Sequence, residues 1–337
     1  MKLGVSHRRE EHLTNDHLRY LRQMGVEQVE VRISRVRADL NRIREIKSIV
    51  EQAGLELFEI MLYDLYSSPA FALDLPGRES DIDEFVRFIE NLGRAGIEHT
   101  TCAWCTGGVY KTGEVSLRDC VTRDFRLQDA VKAAAAGDSS LAAAGRIYSE
   151  EEMWWSYTNF METVLPVAER CGVRLQLHPN DPPVDHGGIP RIFRSTAAFR
   201  RAMEIAGGSP YSSILFCVGC WAEMSGPDGD GEDIGAALSA FVRSGHVHQL
   251  HFRNVSSPMP GFTETFIEDG YVDMRALMQI LVDSGYTGMV VPDHVPRPLK
   301  SDAGRYGTEA YLLGYMRSMI DAVTGTSVLS RPPRSLT

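Results

Sequence analysis

The stretch Arg174 to Pro183, RLQLHPNDPP, constrains the chain most, because it carries a strand that is forced to stop at a histidine. Arg174, Gln176 and His178 alternate with Leu175 and Leu177, the period-two pattern of a strand, and Pro179, Pro182 and Pro183 cannot extend a ladder. His178 therefore sits at a strand's C-terminal end. Three later segments repeat the design: ILFC ends at Cys217, HQLHF carries His251, and GMVVPD ends at Asp293. Each is a short apolar run that stops at a residue able to bind a metal ion.

Ahead of this stretch, strand and helix alternate. Strands are expected at 2–6, 29–33, 56–61 and 99–104, with helices at 15–24, capped by Asn15 or Asp16, at 39–53, and from Asp81 or Asp83 to Ala95. Residues 106–148 break the rhythm. Their length and the alanine-rich VKAAAAGDSSLAAAG read as a helical insertion after the fourth strand, a place where barrel enzymes carry a lid or a substrate loop. The alternation then resumes with helices at 150–171, 196–206, 232–244, 273–284 and about 308–323, and strands at 174–178, 214–217, 247–252 and 288–293. Eight strands with helices between and after them predict an α/β fold, a (β/α)8 TIM barrel, as one domain over residues 1–324 followed by a disordered tail, 325–337. The rival, a doubly wound open sheet, would need two halves and a nucleotide-type glycine loop to mark one.

Strand alternation decides what points into such a barrel. In the fifth strand the inward set is Arg174, Gln176 and His178; in the seventh it is Val247, Gln249 and His251. Cys217 and Asp293 end their strands in the same way. Four consecutive strands thus place His178, Cys217, His251 and Asp293 around one rim, where barrel active sites lie. Thiolate and imidazole suit zinc, while a carboxylate and open positions admit manganese, iron or cobalt. Next to this set, His294 can act as an acid or base near neutral pH, and Tyr306 in the following loop is a candidate partner acid. His7 and Arg8 after the first strand, Arg191 in GGIPRI, and Arg253 and Asn254 after His251 are candidates for gripping an anionic substrate.

A formal net charge of -10 argues against nucleic acid or an anionic membrane as partner, and leaves room for a small anionic substrate held by local arginines. No apolar run is long enough to span a membrane, and MKLGVSHRREEH lacks the apolar core of a signal peptide, so a cytoplasmic protein is expected. Six cysteines in a chain this long are no disulfide framework. The pairs Cys102/Cys105 and Cys217/Cys220 lie too far apart for a zinc ribbon and read as small buried thiols plus one ligand. The acidic run DGDGED, from Asp228 to Asp233, lacks the spacing of a calcium loop and reads as a turn and helix cap.

Several motifs, taken together, resemble the mannonate dehydratase family: LHPNDPP at 177–183, GGIPRIF at 187–193, FCVG at 216–219, HFRNV at 251–255, ETFIEDGYVDM at 264–274 and PDH at 292–294. The resemblance implies a xylose-isomerase-like TIM barrel that uses manganese to dehydrate D-mannonate to 2-keto-3-deoxy-D-gluconate, with a sugar acid as ligand and a homo-oligomer as assembly. It implies metal ligands at His178, Cys217, His251 and Asp293, an acid/base histidine at His294 and an acid/base tyrosine at Tyr306. A metal-dependent sugar isomerase or epimerase, and a non-catalytic relative that binds a sugar acid, are the alternatives. The chain departs from the family pattern at three places. Asn180 stands where an aspartate is usual, Val295-Pro296 stands where a glycine follows the aspartate-histidine pair, and SHRRE replaces an Arg-Trp-Tyr-Gly stretch after the first strand.

Overall fold

The computed structural model describes residues 1–106, 110–135, 146–185, 187–225, 232–299 and 304–325. The expected tail beyond Gly325, most of the alanine-rich segment and the start of DGDGED lie outside the described residues. Eight parallel strands form one sheet: β1 (Lys2–Arg9), β2 (Gln28–Ile33), β3 (Glu56–Leu62), β4 (His99–Ala103), β7 (Arg174–His178), β8 (Ser212–Cys217), β9 (Val247–His251) and β12 (Met289–Val291). Their spatial order, β3-β2-β1-β12-β9-β8-β7-β4, brings chain neighbours together all the way round, and the two ends, β3 and β4, lie against each other. The expected barrel is therefore present, and nearly closed.

Helices α1 (Asn15–Gln23), α2 (Leu40–Gln52), α4 (Arg78–Ala95), α6 (Glu150–Cys171), α7 (Thr196–Ile205), α9 (Ile234–Arg243), α10 (Met274–Asp283) and α11 (Gly304–Thr324) connect and follow the barrel strands, with short helices α3 (Pro69–Leu73) and α8 (Val218–Met224) on their connections. Two of the expected caps are corrected. Thr14, not Asn15 or Asp16, accepts the N–H of His17 at the start of α1. Helix α4 begins at Arg78 behind Gly77, because Asp81 is bonded by Arg35 at 2.6 Å instead of closing the helix end. Where α4 meets α6, Gly93 lets the backbones approach; a Cβ there would stand 2.6 Å from the Cys171 carbonyl oxygen. None of the described helices is long and apolar enough to cross a membrane.

The insertion after β4 is not simply helical. It opens as a hairpin, β5 (Gly113–Leu117) and β6 (Cys120–Arg126), before helix α5 (Leu127–Ala135). Its turn uses Arg118 at φ 53 and Asp119 at φ 56, a left-handed pair that glycine and asparagine usually supply, so the usual hairpin signal is missing from the sequence. Strand β6 pairs antiparallel with β11 (Gly261–Thr265) and with β13 (Arg297–Pro298), and β11 pairs with β10 (Asn254–Val255). This second sheet is assembled from the connections after β4, β9 and β12, all of which leave the barrel from its C-terminal rim. It gathers three loops into a cap on that side.

The barrel interior is polar. Gln176 Nε2 donates to Glu59 Oε2 at 2.9 Å and to Gln249 Oε1 at 3.0 Å, and Gln249 Nε2 donates to Glu30 Oε2 at 2.9 Å. These bonds confirm that Gln176 and Gln249 face inward, and with them His178 and His251 two residues on. Replacing Gly93 by alanine is expected to lower unfolding stability by about 1–3 kcal/mol, read from the urea midpoint, because backbone lies in the way of the new methyl group.

Candidate metal centre

The ligand atoms of His178, Cys217 and His251 lie within 4.8 Å of one another, and so do those of His7, His251 and Asp293. The two triads share His251. All of these side chains are buried except His7, which is partly exposed. His7 reaches the cluster because the register of β1 against β2 shifts between Val5 and Arg8, and His7 takes φ 61 in that bulge. His178 Nδ1 lies 2.7 Å from the Pro179 carbonyl, which fixes the ring and leaves Nε2 free to act as a ligand.

The donor set fits a divalent ion. Nε2 of His7 and Oδ1 of Asp293 are buried and have no hydrogen-bond partner among the described residues, and His251 Nδ1 lies 3.2 Å from Asp293 Oδ2. Burial alone would favour a neutral Cys217, but Cys220, the Arg253 charge, His178 and His251 hold its thiol well below the usual range. Burial also disfavours a charged His251, yet the Asp293 carboxylate and Cys217 push its pKa up to about 10. The cluster therefore carries a proton between two anionic ligands, the charge that a metal ion would replace.

His294 stands at the edge of this cluster with φ 46, a left-handed backbone that turns its ring back toward the rim. Its Nε2 lies 3.7 Å from Asp293 Oδ2, and its Nδ1 is bonded to Glu264 Oε1. Burial works against the charged ring, but Asp293 and Glu264 outweigh it and raise the pKa to about 9. A cavity of about 290 Å³ opens here, lined by His7, Arg8, Asp293, His294, Arg297 and Glu309 among others. A second, of about 270 Å³, reaches His294 from the cap side through Arg123 and Glu264.

The structure sorts the remaining candidates. Tyr306 is not in a loop: it lies in α11, its ring 5.5 Å from that of His17 and 5.2 Å from that of Tyr20, so it packs on α1. Asn254 is a backbone clamp, donating from Nδ2 to the Ile267 and Val272 carbonyls and accepting from the Val255 N–H. Arg191 donates to the carbonyls of Asp181 and Pro182. Arg8 pairs with Glu309. Arg253 is buried among acids: Asp181 Oδ2 at 2.7 Å, Glu223 Oε1 at 2.8 Å, Glu264 Oε1 at 3.4 Å and Asp293 Oδ2 at 3.5 Å. Of the five residues expected to grip an anion, His7 joins the ligand cluster, Arg8 lines the cavity, and the other three brace the surrounding chain.

Sequence reasoning missed Glu264, Asp181, Glu223 and Arg123. Arg123, from β6, meets Asp181 at 2.6 Å, Glu223 at 3.1 Å and Glu264 at 3.0 Å. Arg123 and Arg253 hold Asp181 well below the usual carboxylate range against its burial, while burial and the Asp181 charge push Glu223 well up. The available signals were Asp181 in LHPNDPP and the first glutamate of ETFIEDGYVDM, and neither carried a position of its own.

The chain is similar to known proteins. A family model described as D-mannonate dehydratase (UxuA) matches residues 139–327, more than half of the chain. The chain belongs to the D-mannonate dehydratase family. Mannonate dehydratase of Streptococcus suis strain 05ZYH33 is 28% identical over 277 residues, 76% of this chain and 74% of that one. The Thermotoga neapolitana protein of the same name is 30% identical over 287 residues, 76% of this chain and 77% of its own. The crystal structure of mannonate dehydratase from Streptococcus suis serotype2 matches with a TM-score of 0.82 at 24% identity, covering 99% of this chain and 97% of that one. The reaction class of the family is that of a sugar-acid dehydratase, a hydro-lyase.

Against this family the departure at Asn180 has a local explanation. Its Nδ2 donates to the Trp104 carbonyl at 3.1 Å and its Oδ1 accepts from the Phe193 N–H at 2.8 Å. An aspartate cannot do both. Asn180→Asp is expected to cost about 1–3 kcal/mol in denaturant unfolding, since it sets a carboxylate against a buried carbonyl. Glu264→Gln removes a negative charge that raises the His294 pKa, so the limb of the pH–kcat/KM profile belonging to His294 is expected to move to lower pH; an unmoved limb would show that Glu264 does not act on His294.

Proposed function

We propose that the chain is a manganese-dependent dehydratase that converts D-mannonate to 2-keto-3-deoxy-D-gluconate and water, with residues 1–324 acting as one catalytic domain. The observation that carries the reading is His294: an imidazole held by Glu264 on one nitrogen, with the other nitrogen beside Asp293 at the edge of the ligand cluster. His178, Cys217, His251 and Asp293 would hold the ion, with His7 beside them. When bound, the ion supplies Lewis-acid stabilisation for negative charge that develops on the substrate's carboxylate side.

The acid/base work falls to His294. Asp293 contributes most to keeping its ring charged, so the imidazole returns toward neutrality once that carboxylate's charge is shared. Glu264 then fixes the tautomer by accepting the Nδ1 proton, which leaves the Nε2 lone pair facing the rim. Nε2 takes the proton from the carbon next to the carboxylate and returns it to the hydroxyl on the neighbouring carbon, which departs as water. The enol left behind rearranges to the ketone, and nothing is oxidised or reduced. With Tyr306 packed on α1, one imidazole serves both halves of the elimination.

All six cysteines are unpaired thiols, and this agrees with a reducing cytoplasm. A homo-oligomer is the assembly we infer from the family.

The test uses metal-stripped protein reloaded separately with manganese and zinc and given D-mannonate. Manganese is expected to restore formation of a 2-keto-3-deoxy acid with loss of one water by mass. His294→Asn is expected to lower kcat by about 10²–10⁴-fold without loss of bound manganese. A product of unchanged mass would replace this reading with an isomerase or epimerase.

A further inference from the structure

A sugar acid needs a cation for its carboxylate; Arg297 lines the cavity but is largely exposed and meets Glu114 at 3.5 Å, and the buried arginines near His294 are already committed. Arg8 is paired with Glu309, Arg191 is spent on backbone carbonyls, and Arg123 and Arg253 are shared among buried acids. Arg32 is different. It lies near the C-terminal end of β2, two residues beyond Glu30 on the same inward face, and donates from Nε to Glu30 Oε1 at 3.1 Å. Glu30 is itself held by Gln249 Nε2 at 2.9 Å and by the backbone N–H of His7 at 3.2 Å. The base of the guanidinium is thus anchored to the barrel interior and to the bulge that presents His7.

Its far end is available. Among the described residues no acceptor is bonded to the two terminal nitrogens of Arg32, and the side chain is 24% exposed. The guanidinium carbon stands 5.8 Å from the centre of the Tyr66 ring, whose own centre is 6.2 Å from that of His178. The Arg32 charge also acts on His7 and on Tyr66, which places it on the ligand-cluster side of the rim. A planar fork with Nε tied back and neither terminal nitrogen bonded to an acceptor among the described residues is preorganised for a carboxylate.

We propose that Arg32 binds the carboxylate of the sugar acid through its two terminal nitrogens and sets which end of the substrate lies beside His294. The proposal rests on the sugar-acid reading above and adds the group that orients the acid. As the proton leaves the neighbouring carbon, negative charge spreads onto the carboxylate oxygens, where a fixed guanidinium stabilises it with no reorganisation. Arg32 lies outside residues 139–327, the part that matches the family model.

The test separates binding from turnover. Manganese-loaded His294→Asn protein is titrated calorimetrically with D-mannonate and with D-gluconate, alone and combined with Arg32→Gln or Arg32→Lys, and manganese affinity is measured for each. Arg32→Gln is expected to weaken aldonate binding about 10–100-fold, the range for losing a charge-assisted hydrogen-bonded pair, with manganese affinity changed less than twofold. Arg32→Lys, which keeps the charge and loses the fork, is expected to recover part of the loss; it carries the test if the glutamine variant does not fold. Unchanged aldonate binding overturns the proposal, as does a parallel fall in manganese affinity, which would make Arg32 a brace for Glu30 and His7. If neither aldonate binds the His294→Asn parent, the sugar-acid reading itself fails, and the proposal with it.

Discussion

The rim depends on a guanidinium buried where water cannot reach it. Arg253 is 2% exposed and follows β9 directly, so its charge must be met by protein groups or not at all. The groups that meet it come from four segments: Asp181 after β7, Glu223 on α8, Glu264 on β11 and Asp293 after β12. Removing one partner from such a pairing typically costs about 3–5 kcal/mol, so the guanidinium dictates where each of these segments runs. It also explains a glycine. A Cβ on Gly219 would stand 2.4 Å from Arg253 Cζ, so the glycine of FCVG is the space the guanidinium occupies.

Below this network, the barrel interior does a related job with neutral and charged groups in alternation. Burial and the nearby Glu30 push Glu59 well up, and its Oε2 accepts from Gln176. Glu30 is held down to about 2 against its burial by His7, Arg32 and His251. The two neighbouring carboxyls are thus pushed in opposite directions. Glu30 accepts from the His7 N–H and from Arg32, so the polar interior and the rim are one electrostatic system.

Much of this was legible in the sequence, for a definite reason. Parallel strands buried on both faces must alternate strictly; β7, β8 and β9 stop at His178, Cys217 and His251, and Asp293 follows the end of β12 by two residues, so the cluster could be placed from spacing. The cap sheet was not legible. Its strands β10 and β13 have two residues each, and the β5–β6 turn uses Arg118 and Asp119, which carry no turn signal. Because the cap was unseen, Arg123 and Glu264 had no address, and the pairing that orients His294 could not be inferred. Tyr306 went wrong for a simpler reason: α11 begins at Gly304, earlier than its apolar pattern, and carries the tyrosine onto α1. The candidate arginines were those that follow barrel strands, and Arg8, Arg191 and Arg253 are all committed to partners in the fold.

The boundary of the family match then acquires a physical meaning. Residues 139–327 contain all four proposed ligands, and His294 with its partner Glu264, so the candidate reacting centre lies within one block. That block is not electrostatically complete. Asp181, Glu264 and Asp293 are buried carboxyls held below their usual range while Glu223 is pushed up, and within the block they face Arg253 and His294. A further cation, Arg123, is brought by β6 from outside the block. The cap is therefore tied to the rim by charge as well as by strand pairing: without Arg123, Asp181 and Glu264 would each lose a buried cationic partner.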